Sequence, residues 1–287
     1  TLISGILFGL APALGSTVEN PMKLLREGGR GAFGSFTGAK IRSAILILQV
    51  SLALVLIVAS SLLVQSFFHL LAADPGFNPA RVLTFELSLP SAKYRKNERI
   101  VKLYQALLQR FQTIPGVSSA GIVGAVPMDG ATDGSLIRIP DNPSLNAKHP
   151  FANYSIASPG YFRAVGTPVL RGRNFFESDT ADSAPVTVIN TAMAKRFWPD
   201  QNPIGKQLGL ASPDFPVMTI IGIVADVKHL SLRENPGPEM YVTYTQKPYP
   251  SMLTMHLVLR TKADPSSVAT SVRQAVHALD PGPVSYT

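Results

Sequence analysis

An α+β fold is predicted, in which a membrane-spanning helix precedes a split β-α-β sandwich that carries a small inserted strand-rich lobe. Three observations predict it. From Ser43 to Ala73, 31 consecutive residues contain no Lys, Arg, Asp or Glu, in a chain with only 15% charged residues, where roughly a quarter is usual. A strand-helix-strand pattern follows at 81–126, and a strand-helix pattern recurs at 251–279. Between these ends, turn residues interrupt short apolar runs at Pro168, Gly172, Asp200, Pro203, Pro213 and Pro216.

The apolar run Ala44 to Val64 is long enough, at about 1.5 Å per residue, to cross a hydrocarbon core of about 30 Å. Its continuation to Leu71 exceeds that need, so a tilt or a juxtamembrane turn is expected. Arg26, Arg30, Lys40 and Arg42 lie before the span, whereas Asp74 and Arg81 are the first charges after it. The positive-inside rule therefore places the amino side in the cytoplasm and everything after about residue 72 outside. A secretory signal would have an apolar core of about 7–15 residues close to the start, so this segment is expected to stay as an anchor. Gly5 and Gly9 make a GxxxG pattern in an earlier apolar stretch that Pro12 interrupts, and the opening without Met is expected to lie inside a longer protein. Pro21 to Glu27 reads as a short amphipathic helix, and Gly28 to Ser35 as a flexible part of a basic loop beside anionic lipid.

In the exported part, Arg81 to Leu89 alternates as a strand and Asn97 to Phe111 carries Ile100, Leu103, Leu107, Leu108 and Phe111 at helical spacing. Pro115-Gly116 ends that helix before a strand at Val117 to Val126. Ser251 to Arg260 alternates again, and Asp264-Pro265-Ser266 opens a helix that Asp280-Pro281-Gly282 stops. In the lobe, strands are expected at Pro185 to Ile189, Ile204 to Leu208 and Val217 to Val227, with Asn190 capping a helix that ends at Pro199. Met128 to Pro150 is polar and turn-rich, with one short strand at Leu136 to Ile139.

The formal charge of +8 does not point to nucleic acid. Residues 1–42 hold +3 of it, and the remaining +5 is scattered without a basic stripe. Cysteine is absent, which excludes disulfides, thiolate nucleophiles and Cys-based metal sites. His69, His149, His229, His256 and His277 form neither HxxxH nor HExxH, and His256 and His277 read as surface or border residues. Asp226 and His229 follow a strand where an acid and a base could meet, but no GxSxG elbow supplies a nucleophile. Glu177 and Asp179 flank Ser178 without the other positions of an EF-hand loop, so a solvated turn is expected. Gly205-Lys206 ends like a phosphate loop, but Asp200 and Gln207 stand where Gly and Ser or Thr are required. Tyr161-Phe162 and Phe197-Trp198 read as core pairs. No catalytic, cofactor-binding or metal-ligating residue is assigned, no cofactor is expected, and the chain is not expected to be an enzyme.

Several motifs together carry a family resemblance: Lys40 and Arg42 leading into the span, Asp74-Pro75-Gly76-Phe77, Val82-Leu83-Thr84-Phe85, Ser158-Pro159-Gly160-Tyr161-Phe162, Leu170-Arg171-Gly172-Arg173-Asn174-Phe175, Asn190 to Trp198, and Asn202-Pro203-Ile204-Gly205-Lys206. With them the chain resembles bacterial ABC-transporter permeases of the MacB and FtsX type, and more narrowly the duplicated orphan permeases of Acidobacteria. The resemblance implies a four-helix permease unit with a MacB-like periplasmic core domain between its first and second helices. The expected layout is 1–15, the end of a preceding transmembrane helix; 16–42, a basic cytoplasmic connector; 43–71, the transmembrane helix; 80–166, the first part of the periplasmic α/β subdomain; 167–240, the inserted strand-rich lobe; and 241–287, the second part of that subdomain.

The resemblance further implies a permease subunit of the bacterial inner membrane. A separate cytoplasmic ABC ATPase acts through the spanning helix on a periplasmic domain, in export or signalling, with a second permease unit and the lipid bilayer as further partners. Orphan members lack an obvious ATPase neighbour, and the alternative is a membrane-anchored periplasmic binding or assembly module without transport activity.

Overall fold

The computed structural model describes residues 35–71, 73–94, 97–130, 132–212, 215–233, 235–246 and 250–279. The expected helix end at 1–15, the first part of the connector with its amphipathic turn and glycine run, and the Asp280-Pro281-Gly282 stop lie outside the described residues. The chain divides into two compact units, residues 1–71 and 72–287.

In the first unit, Ser35–Leu71 is one helix of 37 residues, α1. Its backbone is already helical at Lys40 and Arg42, so the basic flank is a continuation of the span and not a separate loop. Ser43–Leu70 is apolar and long enough to cross a membrane, and its most apolar stretch is not buried. A helix that is apolar all round matches a lipid environment, in which the backbone is satisfied internally.

The second unit begins with β1 (Val82–Ser88), α2 (Asn97–Gln112) and β2 (Val117–Val123). After β3 (Gly134–Arg138) come the single turn α3 (Pro143–Asn146), β4 (Phe151–Ala157) and α4 (Tyr161–Val165). Then follow β5 (Val169–Gly172), β6 (Val186–Asn190), α5 (Thr191–Phe197), β7 (Gln207–Leu210), β8 (Met218–Val224) and β9 (Glu239–Thr243). A 3-10 turn at Pro250–Leu253 leads into β10 (Thr254–Thr261) and α6 (Ser266–Leu279).

β10 lies between β1 and β2, antiparallel to both. α2 buries Ile100, Tyr104, Leu107, Leu108 and Phe111, and α6 buries Val268, Val272, Ala275 and Val276. Both sets follow the helical period, and the two helices pack on each other while α2 also packs on β2. The Tyr104 hydroxyl donates to the Met252 carbonyl at 2.9 Å, which fixes α2 to the turn before β10.

β4 touches β2 at Val123 and Ala157 and also belongs to a closed ring of pairings, β4-β3-β7-β8-β6-β9 and back to β4. Four of its contacts are antiparallel, whereas β6–β8 and β4–β9 are parallel. Alternation sorts the ring side chains: Ile189, Met240 and Val242 join the larger core cluster, and Val188 and Tyr241 the smaller one.

α4 covers the other face of β2 and β10. Here backbone approaches backbone. A Cβ on Gly160 would lie 2.0 Å from the Ala120 oxygen, and one on Gly121 would lie 2.5 Å from the Tyr161 Cα. The Ser158 hydroxyl accepts from the Ile122 amide at 3.0 Å while the Ser158 amide donates to the Ile122 oxygen. The SPGYF motif is thus a docking joint that needs glycine for contact and serine for a buried amide.

Candidate functional site

The segment that leaves α1 enters the second unit through a clamp on residues 74–81. Asp74 opens it by accepting the Gly76 amide at 2.8 Å. Gly76 has φ +81°, and a Cβ there would fall 1.9 Å from the Asp226 oxygen. A side chain is therefore excluded twice, by conformation and by space. The Pro75 oxygen accepts from the Lys228 amide at 3.0 Å, and the Gly76 oxygen accepts from the Thr167 hydroxyl at 3.1 Å. Asn78 donates its amide to the Val165 oxygen at 2.8 Å and caps its own turn by accepting the Ala80 amide. Phe77 packs against the smaller core cluster.

Arg260 of β10 is the centre of the clamp. Its Nη2 donates to the Asn78 oxygen at 2.8 Å, its Nη1 to the Ala80 oxygen at 3.0 Å, and its Nε to the Ala164 oxygen at 2.9 Å. The planar fork thus joins the entering chain, α4 and the central strand of the three-stranded part through carbonyls, with no carboxylate partner among the described residues. Thr261 adds two bonds to the Arg81 oxygen, from its amide at 2.8 Å and its hydroxyl at 3.1 Å.

The loop at 225–231 supports the clamp from the ring side. Asp226 accepts the Ala192 amide at 2.7 Å, at the first turn of α5, beside the Asn190 cap. Asn190 accepts the amides of Met193 and Glu239 and donates to the Gly237 oxygen at 2.8 Å. The Glu239 carboxylate takes the Tyr241 hydroxyl at 2.9 Å and lies 3.1 Å from His229 Nε2. Burial opposes protonation of His229, but the hydrogen bond and charge of Glu239, with Asp129 adding to them, outweigh it and raise its pKa. Burial raises the Asp226 carboxyl, with the Ala192 amide acting against it. His229, Glu239 and a small cavity of about 50 Å³ share this end of the ring.

Sequence reading placed Asp226 and His229 where an acid and a base could meet, but His229 pairs with Glu239 while Asp226 caps α5. Glu239 went unnoticed because β9 was not recognised; the alternating E-x-Y at Glu239 and Tyr241 was the available signal. The expected solvated turn at Glu177 and Asp179 is only half so. Glu177 is exposed, but Asp179 is buried in a two-bond pair with Arg173, at 2.7 and 3.0 Å. Burial alone would raise the Asp179 carboxyl, and Arg173 with the Phe176 amide holds it low. His256 is half-buried, 3.8 Å from Asp129, and His277 is exposed. Tyr161, Phe162, Phe197 and Trp198 are core residues. Gly205 turns the chain at φ +87°, and Lys206 bonds Gln201. Among the described residues no group of three His, Asp or Glu side chains could hold a metal ion.

Residues 43–275 match the MacB-like periplasmic core domain. The chain belongs to that family, the extracytoplasmic part of ABC-type transporter permeases of the MacB and FtsX type. Similar solved structures include the periplasmic region of MacB from Actinobacillus actinomycetemcomitans, at 14% identity and TM-score 0.45, covering 76% of this chain and 93% of that one. The extracellular domain of the noncanonic ABC-type transporter YknZ from Gram-positive bacteria is 16% identical at TM-score 0.46, covering 71% and 98%. A permease domain from Porphyromonas gingivalis is 17% identical at TM-score 0.46, covering 72% and 88%. No curated protein matches the chain.

Proposed function

We propose that this chain is part of a permease subunit of an ABC-type transporter, in which a cytoplasmic ATPase acts through α1 on the periplasmic domain, in export or signalling. The bacterial inner membrane is its location, with the basic start of α1 on the cytoplasmic side. The division expected from the sequence, an α/β subdomain at 80–166 and 241–287 with 167–240 as its inserted lobe, would then share strands, since β3 and β4 of the first part pair into the ring with β6 to β9. In a duplicated permease, residues 1–15 would be the end of the first unit, and α1 with the periplasmic domain the start of the second; the chain carries no catalytic role of its own.

The observation that carries this reading is the clamp. Only two residues, Ala72 and Ala73, separate the end of α1 from Asp74. From there every residue to Arg81 except Phe77 and Pro79 takes part in a hydrogen bond to α4, β10, the loop at 225–231 or its own turn. A displacement of the chain at Asp74 is therefore delivered at once to the three-stranded part and to the ring. The test is gentle detergent extraction of the full-length protein, followed by assay of any co-purifying ATPase. Stimulation of hydrolysis by the permease supports the reading, whereas the absence of any ATPase would leave an anchored periplasmic module without transport.

A further inference from the structure

A surface cavity of about 360 Å³ lies away from the clamp, between the carboxyl-terminal half of α2, the loop after β5 and the end of β9. Its lining is Gln105, Leu108, Gln109, Gln112, Glu177 and Tyr244. Gln105, Gln109 and Gln112 stand at i, i+4 and i+7 and so present three amides along one helix face. Leu108 is buried and supplies an apolar floor. Among the described lining residues there is no lysine or arginine.

Two groups at this place lack what they need. The Tyr244 side chain is fully buried, and its hydroxyl has no hydrogen-bond partner among the described residues. Such a group costs free energy unless something occupies it. Glu177 forms no ion pair among the described residues, and surrounding protein raises its carboxyl above the usual value by desolvation. The same carboxylate acts on the Tyr244 hydroxyl, so the two groups are within electrostatic reach of each other.

From this arrangement we infer that the cavity binds a primary ammonium or guanidinium group on a short aliphatic stem, such as a basic side chain of a peptide. The head supplies N–H donors to the Glu177 carboxylate and the glutamine carbonyls, its charge acts at short range on the buried Tyr244 hydroxyl, and the stem lies on Leu108. A bare divalent cation fits poorly, since calcium takes six to eight oxygen ligands in a tight shell, and here one carboxylate borders a space of about 360 Å³.

The experiment is calorimetric titration of the full chain in detergent with L-argininamide and L-lysinamide, against neutral N-acetylglutamine amide. Saturable binding of a cation, at least about tenfold tighter than the neutral amide, is expected. Glu177→Gln should remove that preference, Gln109→Lys should block binding by placing a cation in the cavity, and Tyr244→Phe should weaken it several-fold. Glu177 and Gln109 are exposed, so those two variants keep the fold. No saturable binding of either cation, or unchanged binding in Glu177→Gln, overturns the inference.

Discussion

Residues 74–81 and the loop at 225–231 meet at one joint, yet they are fixed by opposite chemistry. The entering segment is held by the Arg260 fork on backbone carbonyls, with the Asp74 carboxylate accepting the Gly76 amide at its start. The loop is tied to the ring through His229 and Glu239, a pair whose strength depends on protonation of the imidazole. The difference teaches that the grip on the chain rests mainly on donors to backbone carbonyls, while its support from the ring side includes an imidazole whose protonation tunes it.

The most severe way to break this arrangement is Gly76→Val. It forces a branched side chain into φ +81° and onto the Asp226 oxygen, and a loss of about 3 kcal/mol or more is expected from strain and clash together. Denaturant unfolding of the full chain measures it. Arg260→Met keeps the stem but strands three carbonyls, for an expected loss of about 2–3 kcal/mol. Arg260→Lys should recover little, because a single ammonium cannot reproduce the planar fork across three acceptors.

The ring side responds more weakly and only in one pH window. The pKa of His229 is raised in the folded state, so its pairing contributes fully below the unfolded value of about 6.5 and is lost as pH rises through the raised folded value. Stability should therefore fall with rising pH in that window, with a slope of at most about 1.4 kcal/mol per pH unit for one proton. His229→Gln, which can still donate to Glu239, should flatten that slope without touching the Arg260 grip. An unchanged pH profile in this variant would remove His229 from the account.

The parts of the fold set by local pattern were legible. The helix expected at 97–111 is α2, the helix opened by Asp264-Pro265-Ser266 is α6, and Asn190 caps α5 through Met193. Boundaries moved where tertiary contacts intervene. A strand expected at 204–208 begins only at Gln207, because Gly205 turns at positive φ, and the strand expected to reach Val227 ends at Val224, where the clamp takes over the chain. β4 and β9 escaped because their evidence is non-local. All five residues of β9 are buried, which erases alternation, and its parallel partner β4 lies over eighty residues earlier.

The clamp was legible only as motifs without reasons. DPGF and SPGYF stood out as strings, but nothing in the sequence shows that Gly76 must admit the Asp226 oxygen or that Gly160 must admit β2. Arg260 ends an alternating strand and looks like an ordinary border arginine. Its three carbonyl partners come from segments about a hundred and about a hundred and eighty residues away. Glu239, the partner of the buried His229, escaped for the same reason that β9 did.

The central claim is that motion of α1 reaches the periplasmic domain through this clamp. The chain has no cysteine, so a pair introduced at Lys40 in α1 and Arg171 in β5 can carry spin labels without background. With a co-purifying cytoplasmic ABC ATPase, as proposed above, the account predicts a label-to-label distance that changes between the nucleotide-free and ATP-bound states. In Arg260→Met the change should be lost while ATP hydrolysis continues. A distance that ignores nucleotide, or a full change retained in Arg260→Met, would contradict it.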